Sequence, residues 1–457
     1  MDAAVAGRLP CFHVAWPAVR RSLEQLAKGR AAPRDCEDVL AEAREALGVP
    51  QPRTRHSTFF AQADVLGGVS LSPACRLASL LPEVLHASNA RPEDALRLLR
   101  AGNAGSVSLS RAAAASLAAS AFLCLTDAPW SATLPCFSFH DFFSSARPGD
   151  AHHAAQAHKA RCFLAFFDSV LDGADASDVI SFSRLVLPNP LSPASWADSP
   201  LPLRSLRVHA DGCIEDSPAQ LKVDFANRFL GGGVLEAGRV QEELLFSVRP
   251  EMCAGMLFCE AMRDDEAISI SGAQRPSSAF EGYANSFRWT GAASPPSAAE
   301  IFCGSREAWV AIDALCAPGR EQYTPDAVLR EANKALAGFS LSTAGARPSA
   351  GAADVSSCAV ATGNWGCGAF GGDVQLKALI QWAAASQSGL DVEYYSFKDP
   401  AAAGLERAVA MIQGGGVATV GALMRLLLHP RATASHGGLW DALAQELQRV
   451  EHKSIVV

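Results

Sequence analysis

The rhythm of apolar and polar positions changes about two fifths of the way along the chain. Up to about Phe182, apolar residues recur at helical spacing in a background of Ala, Leu and Arg, as in EDVLAEAREALG (Glu37–Gly48) and PEDALRLLRAG (Pro92–Gly102). This predicts a helical domain. The longest apolar run, AAAASLAASAFLCL (Ala112–Leu125), contains serines and is too short to span a bilayer, so it predicts a buried helix. A Pro/Ser-rich passage, LPNPLSPASWADSPLPL (Leu187–Leu203), then interrupts all periodicity and predicts a connection lying over a surface.

From Leu206 onward, short β-branched or aromatic runs alternate with helical segments. LRVHAD, LKVDFAN, AISIS, WVAIDAL, CAVAT and VEYYSF predict strands. Between them, Thr324 as N-cap and Pro325 in the first turn open a helix through DAVLREANKALA that is expected to stop at Gly338. A second helix is expected from about Val374, and further helices from about Leu405. Strands separated by helices imply an α/β domain with a mostly parallel or mixed sheet, its ligand site at loops beyond the strand ends. The small-residue stretch Ser342–Asp354 predicts a mobile loop.

Composition narrows the classes. The 457 residues, 49% hydrophobic, suffice for two or three structural units with a substantial core. A net charge of -8 opposes a protein held to nucleic acid by its overall field. Thirteen cysteines, without a CxxC pair or a Cys/His cluster at zinc spacing, indicate neither a disulfide framework nor a metal site. That usage suits a reducing compartment, and the N-terminus, with Asp2 and Pro10, does not resemble a secretory signal.

Candidate chemistry concentrates in two glycine-rich passages. In GGGVLEAGRVQEE (Gly231–Glu243), three glycines follow a strand and precede a helix-compatible stretch, so their N–H groups suit a phosphate. A glycine triplet is also an ordinary tight turn, and this one lacks the P-loop ending and the GxGxxG spacing. Glu242 and Glu243, as chain neighbours, are expected to point in different directions. The second passage, ATGNWGCGAFGGD (Ala361–Asp373), follows the strand CAVAT and offers another cradle, with Trp365 and Phe370 where a ribose or base could lie. Tyr283 in FEGYANSFRW and Phe397 in YYSFKD could each stack on an adenine or belong to the core.

Taken together, these passages resemble the catalytic part of poly(ADP-ribose) glycohydrolases. The family signature, a glycine triplet followed by Gln-Glu-Glu, stands in full in GGGVLEAGRVQEE, with VDFANRF before it and FEGYANSFRW, VAIDAL, ATGNWGCGAFGGD and LKALIQW after it in the family's order. The resemblance covers about Leu187–Phe397, and FSFHDFF (Phe137–Phe143) and KARCFLAFFDSV (Lys159–Val170) look like the family's helical accessory domain. It implies an α/β fold, a macrodomain-like mixed sheet flanked by helices, with an N-terminal helical accessory domain and connecting segment over 1–200 and the catalytic domain over 201–457. The implied reaction is hydrolysis of the ribose–ribose O-glycosidic bonds of poly(ADP-ribose), releasing ADP-ribose, without a cofactor or metal.

By the same resemblance, Glu243 would be the acid/base, Glu242 would position a ribose hydroxyl, and Asp224 and Asn227 would support the catalytic loop and distal ribose. Ile214, Glu215 and Gln241 would lie near the adenine, Tyr283 and Phe397 would pack on the nucleotide, and Gly232, Gly233, Asn364, Gly366 and Phe370 would wrap the diphosphate and ribose. The expected partners are the polymer, free or on modified proteins, and its product. No membrane, no direct sequence-specific nucleic acid and no second subunit are expected, and the setting is intracellular, nuclear or cytoplasmic. Two rivals are a receptor that holds ADP-ribose without cleaving it, which would not need the Gln-Glu-Glu run, and a structural protein whose glycines only form turns, which leaves the ordered motifs unexplained.

Overall fold

The computed structural model describes residues 3–29, 33–52, 59, 69–88, 96–126, 132–144, 151–173, 178–274, 278–292, 307–342, 359–414 and 417–429. The chain divides into two compact units, each assembled from three stretches: Met1–Ser183, Phe229–Ala261 and Ile270–Ser305 in one, and Arg184–Arg228, Met262–Ser269 and Arg306–Val457 in the other. The strands, in chain order, are β1 (Gly105–Ser110), β2 (Val179–Val186), β3 (Leu206–His209), β4 (Leu221–Ala226), β5 (Glu266–Ser271), β6 (Ser278–Glu281), β7 (Arg288–Ala292), β8 (Ala308–Asp313), β9 (Ala359–Gly363) and β10 (Asp391–Tyr395).

The first unit is mainly helical. The alanine-rich run forms the helix Arg111–Phe122, capped by Ser110 Oγ accepting the Ala113 N–H at 3.2 Å and buried all round. Phe122 meets Phe139, Phe143, Phe163 and Phe167, ring centroids 5.0 to 6.2 Å apart, so the FSFHDFF and CFLAFF passages share one aromatic core. This part is not purely helical. Here β1 and β2 run antiparallel, with Ser106 Oγ 2.9 Å from Ser183 Oγ and Ser108 Oγ 2.8 Å from Ser181 Oγ. The expected helix over Pro92–Gly102 is also absent from its described part: Leu99 N–H donates to the Phe258 carbonyl at 2.8 Å, and Leu96, Leu98 and Leu99 are buried. There, tertiary pairing outweighs local propensity. Strands β6 and β7 form an antiparallel pair whose connection carries Tyr283.

The second unit is built on the strand order β5-β8-β4-β9-β10-β3. The pairs β4–β8, β4–β9, β9–β10 and β10–β3 are all parallel, so with the antiparallel β1–β2 pair the fold is mixed. All six strands expected from the sequence form within a residue or two of their runs. Helices Pro325–Ser342, Val374–Gln387, Leu405–Gly414 and Val420–Leu427 contribute the rest of the core.

Two expectations need correction here. The Pro325 helix does not stop at Gly338 but runs to Ser342, because the missing Cβ lets it close on β8: a Cβ there would lie 2.9 Å from Ile312 Cγ2 and 3.0 Å from Val310 Cγ2. The Leu187–Leu203 connection is not merely superficial. It contains the short helix Pro193–Ala197, capped by Ser192, and buries Trp196, whose indole N–H donates to Asn333 Oδ1 at 3.1 Å. The stretch expected to be a mobile loop lies, beyond Ser342, outside the described residues. Among the described residues, no helix is long and apolar enough to cross a membrane.

Candidate active site

In the first unit the glycine triplet leads, through a run of tight turns, into the helix Gln241–Val248. The two glutamates are the second and third residues of that helix, where acidic side chains complement the unpaired N–H groups and the positive end of the macrodipole. Glu243 Oε1 accepts the Gly233 N–H at 3.1 Å and Glu243 Oε2 accepts the Val240 N–H at 2.9 Å; Glu242 Oε1 accepts the Gly231 N–H at 2.6 Å. The expectation that the neighbours diverge is therefore corrected. Their Cα–Cβ bonds do diverge, but the loop folds over the helix start and draws both long side chains onto it. Gly232, with φ at +49°, lies where they meet: a Cβ there would stand 2.6 Å from Glu242 Oε2 and 2.6 Å from Glu243 Oε1. Both carboxyls are nearly buried, at 2% and 7% exposure, and Gln241 beside them is half-buried.

A residue that sequence reasoning did not single out holds this loop. Lys159, fully buried in the helix Ala151–Leu171, donates from Nζ to the Val234 carbonyl at 3.1 Å and to the Gly238 carbonyl at 2.7 Å. Burial pushes its ammonium down to about 8, and the nearby Glu243 carboxyl draws it partly back up. One turn earlier, Gln156 Nε2 donates to the Glu236 carbonyl. The sequence carried little signal for Lys159: in AHKARCFLAFF it stands between His158 and Arg161 and looks like part of a solvated face.

In the second unit the loop after β9 is fastened to the loop after β10. Asn364 Nδ2 donates to the Ser396 carbonyl at 3.1 Å and to Asp399 Oδ2 at 3.2 Å, while Asn364 Oδ1 accepts from Tyr394 Oη at 2.9 Å. Gly366 has φ at +73°, and a Cβ there would lie 2.4 Å from Ala314 Cβ, so the protein's own packing demands glycine at this position. Trp365 does not face a ligand as expected. It is fully buried, its indole N–H donates to the Ile312 carbonyl at 2.9 Å, and Lys377 Nζ stands 4.3 Å from its ring centre. Phe370 is half-buried against the core.

Phe397 and Tyr283, each in its own unit, have rings that are about half open, at 48% and 50% exposure. Such exposure departs from the core reading. Ile214 is buried in the turn Ile214–Asp216, and the Glu215 carbonyl beside it accepts from Lys222 Nζ at 2.7 Å. Asp224 is buried on β4 opposite Ala311, and Asn227 follows the end of that strand, half-buried. Gly232, Gly233, Gln241, Glu242 and Glu243 are thus brought together in one unit, and Asn364 and Phe397 in the other, on loops that Asn364 ties together.

These features match a protein that joins a macro-domain fold to a helical domain. The family model described as "Poly (ADP-ribose) glycohydrolase (PARG), Macro domain fold" matches residues 193–404, and the one described as "Poly (ADP-ribose) glycohydrolase (PARG), helical domain" matches residues 67–184. The chain belongs to the poly(ADP-ribose) glycohydrolase family. It is similar to Poly(ADP-ribose) glycohydrolase 1 of Arabidopsis thaliana, 35% identical over 394 residues, with 73% of this chain and 71% of that one covered. The Probable poly(ADP-ribose) glycohydrolase 2 of the same plant is 34% identical over 386 residues (74% and 73% covered). Poly(ADP-ribose) glycohydrolase 1 of Caenorhabditis elegans is 33% identical over 323 residues (68% and 38% covered).

Proposed function

We propose that this chain hydrolyses the ribose–ribose O-glycosidic bonds of poly(ADP-ribose) and releases ADP-ribose, with Glu243 as acid/base. Membership of the family carries the activity. One observation supports the role of Glu243: each of its carboxyl oxygens meets one backbone N–H and keeps a second lone pair for a proton. Glu243 can then protonate the leaving ribose oxygen as positive charge develops on the departing sugar, and afterwards take a proton from the attacking water.

Glycosidases commonly use two separated carboxylates, one on each side of the bond. Here the carboxyls of Glu242 and Glu243 converge on Gly232, which favours a division in which Glu243 moves the proton and Glu242 orients a ribose hydroxyl. The half-open rings of Tyr283 and Phe397 support stacking on the nucleotide. Gly232 and Gly233, half-buried, would wrap the diphosphate with their backbone, but not through free N–H groups, because those of Gly231, Gly232 and Gly233 already donate to Glu242, the Phe229 carbonyl and Glu243. In this reading Asp224 and Asn227 support the loop and distal ribose, Ile214, Glu215 and Gln241 border the adenine, and Asn364 and Phe370 shape the ribose side. The chain acts as a monomer inside the cell.

Labelled poly(ADP-ribose) incubated with the purified chain and resolved for free ADP-ribose tests the activity. Glu243→Gln keeps the side chain's shape but cannot give and recover a proton, so turnover is expected to fall by about 10²–10⁴-fold or more, with ADP-ribose still bound in calorimetry. Binding without release by the unmodified chain would instead identify an ADP-ribose receptor. Release at an unaltered rate by the folded Glu243→Gln variant would remove Glu243 from the chemistry.

A further inference from the structure

Lys159 is an expensive way to hold a turn. A fully buried ammonium loses its hydration, and two carbonyl oxygens replace only part of it, so packing alone would be better served by an apolar side chain. Its two acceptors bracket the turn beside the glutamates. Gly238 N–H donates to the Gly233 carbonyl at 3.0 Å, and Gly233 N–H donates in turn to Glu243 Oε1 at 3.1 Å. Gly238 also presses on the side chain directly: a Cβ there would lie 2.6 Å from Glu243 Cδ and Cγ. Moving Gly238 therefore moves Glu243.

Resting on the function proposed above, we propose that Lys159 is a positioning residue for the reaction: its ammonium pins the Val234–Gly238 turn and, through Gly238 and Gly233, holds the Glu243 carboxyl where it exchanges its proton. The titratable groups facing it are Glu243 from the Gln241–Val248 helix, Glu236 from the turn, Cys253 from the Pro250–Leu257 turns and Cys162 on its own helix. Burial brings the ammonium down to about 8, so as pH rises through that value the pin becomes a neutral amine that can still reach both carbonyls but holds them more weakly, and turnover is expected to decline along an alkaline limb.

The test compares kcat, KM and pH profiles of the full chain with Lys159→Met and Lys159→Arg. Lys159→Met is expected to lose about 10²-fold in kcat, the scale of a small misplacement of a reacting group, with KM nearly unchanged and no alkaline limb near pH 8. Lys159→Arg keeps a charge that does not titrate in this range, so its profile should stay level where the unmodified chain declines. Amide exchange at Gly233 and Val240, the donors to Glu243, should quicken in Lys159→Met by more than any fall in its thermal midpoint accounts for.

An unaltered kcat in Lys159→Met, or the unmodified chain's limb persisting in Lys159→Arg, overturns the proposal. The Arg variant decides even where the Met variant fails to fold. A chain that releases no ADP-ribose at any pH overturns the proposed function instead, and the amide exchange then still decides the pinning of the loop.

Discussion

At the residue scale, Gly232 is the point on which two carboxyls close. Alanine there adds a methyl 2.6 Å from an oxygen of each, at a positive φ that already disfavours a side chain. The carboxyls must give way, so Gly232→Ala is expected to lose turnover comparably to Glu243→Gln, and also to weaken ADP-ribose binding, which Glu243→Gln spares. Kinetics set beside calorimetry would separate the two variants. The glycines and the Gln-Glu-Glu run were legible because their spacing is a signature. Lys159 was not, since its partner Val234 lies 75 residues away and lysine is ordinarily a surface residue. Gly366 was legible as a special position, and the structure adds a packing reason for it: a Cβ there would meet Ala314.

At the scale of elements, the strands of the second unit were legible because parallel strands buried on both faces read as continuous β-branched and aromatic runs. β1 and β2 escaped notice because GSVSLS and VISFSRLV mix small polar residues into the pattern and hold together partly through facing serine hydroxyls. Element ends are where single side chains matter most. Asp373 caps the helix Val374–Gln387, with Oδ1 accepting the Leu376 N–H at 2.9 Å, while its Oδ2 accepts from Tyr323 Oη at 2.7 Å. Losing a cap of this kind costs about 1 kcal/mol, and a buried partner is stranded besides. Asp373→Ala should lower the thermal midpoint measurably, and Asp373→Asn, which keeps the capping oxygen, should lower it less. Equal midpoints for all three proteins would mean that the cap does not matter.

At the scale of the whole molecule, the eleven cysteines among the described residues are all free thiols, most of them buried. Burial pushes the Cys124 and Cys162 thiols up to about 12, so neither offers a thiolate near neutral pH. Alkylation of the native chain should mark Cys316, the exposed one, well before Cys124 or Cys162, and mass mapping against a urea-unfolded sample would show this. Early labelling of Cys162 would mean that the helix carrying Lys159 opens readily.

The assembly of the first unit from three separate stretches has a consequence for how such a chain can be altered by cutting or recombination. Lys159 belongs to the first stretch and the turn it pins to the second, so a single break anywhere between them leaves the glutamates on one piece and their anchor on the other. A duplicated or transplanted copy of residues 201–457 would carry the whole signature and would look complete to anyone reading its sequence. It would lack the cation on which the geometry of that signature depends. In this chain, the length that can be inherited intact as an enzyme is longer than the length that looks like one.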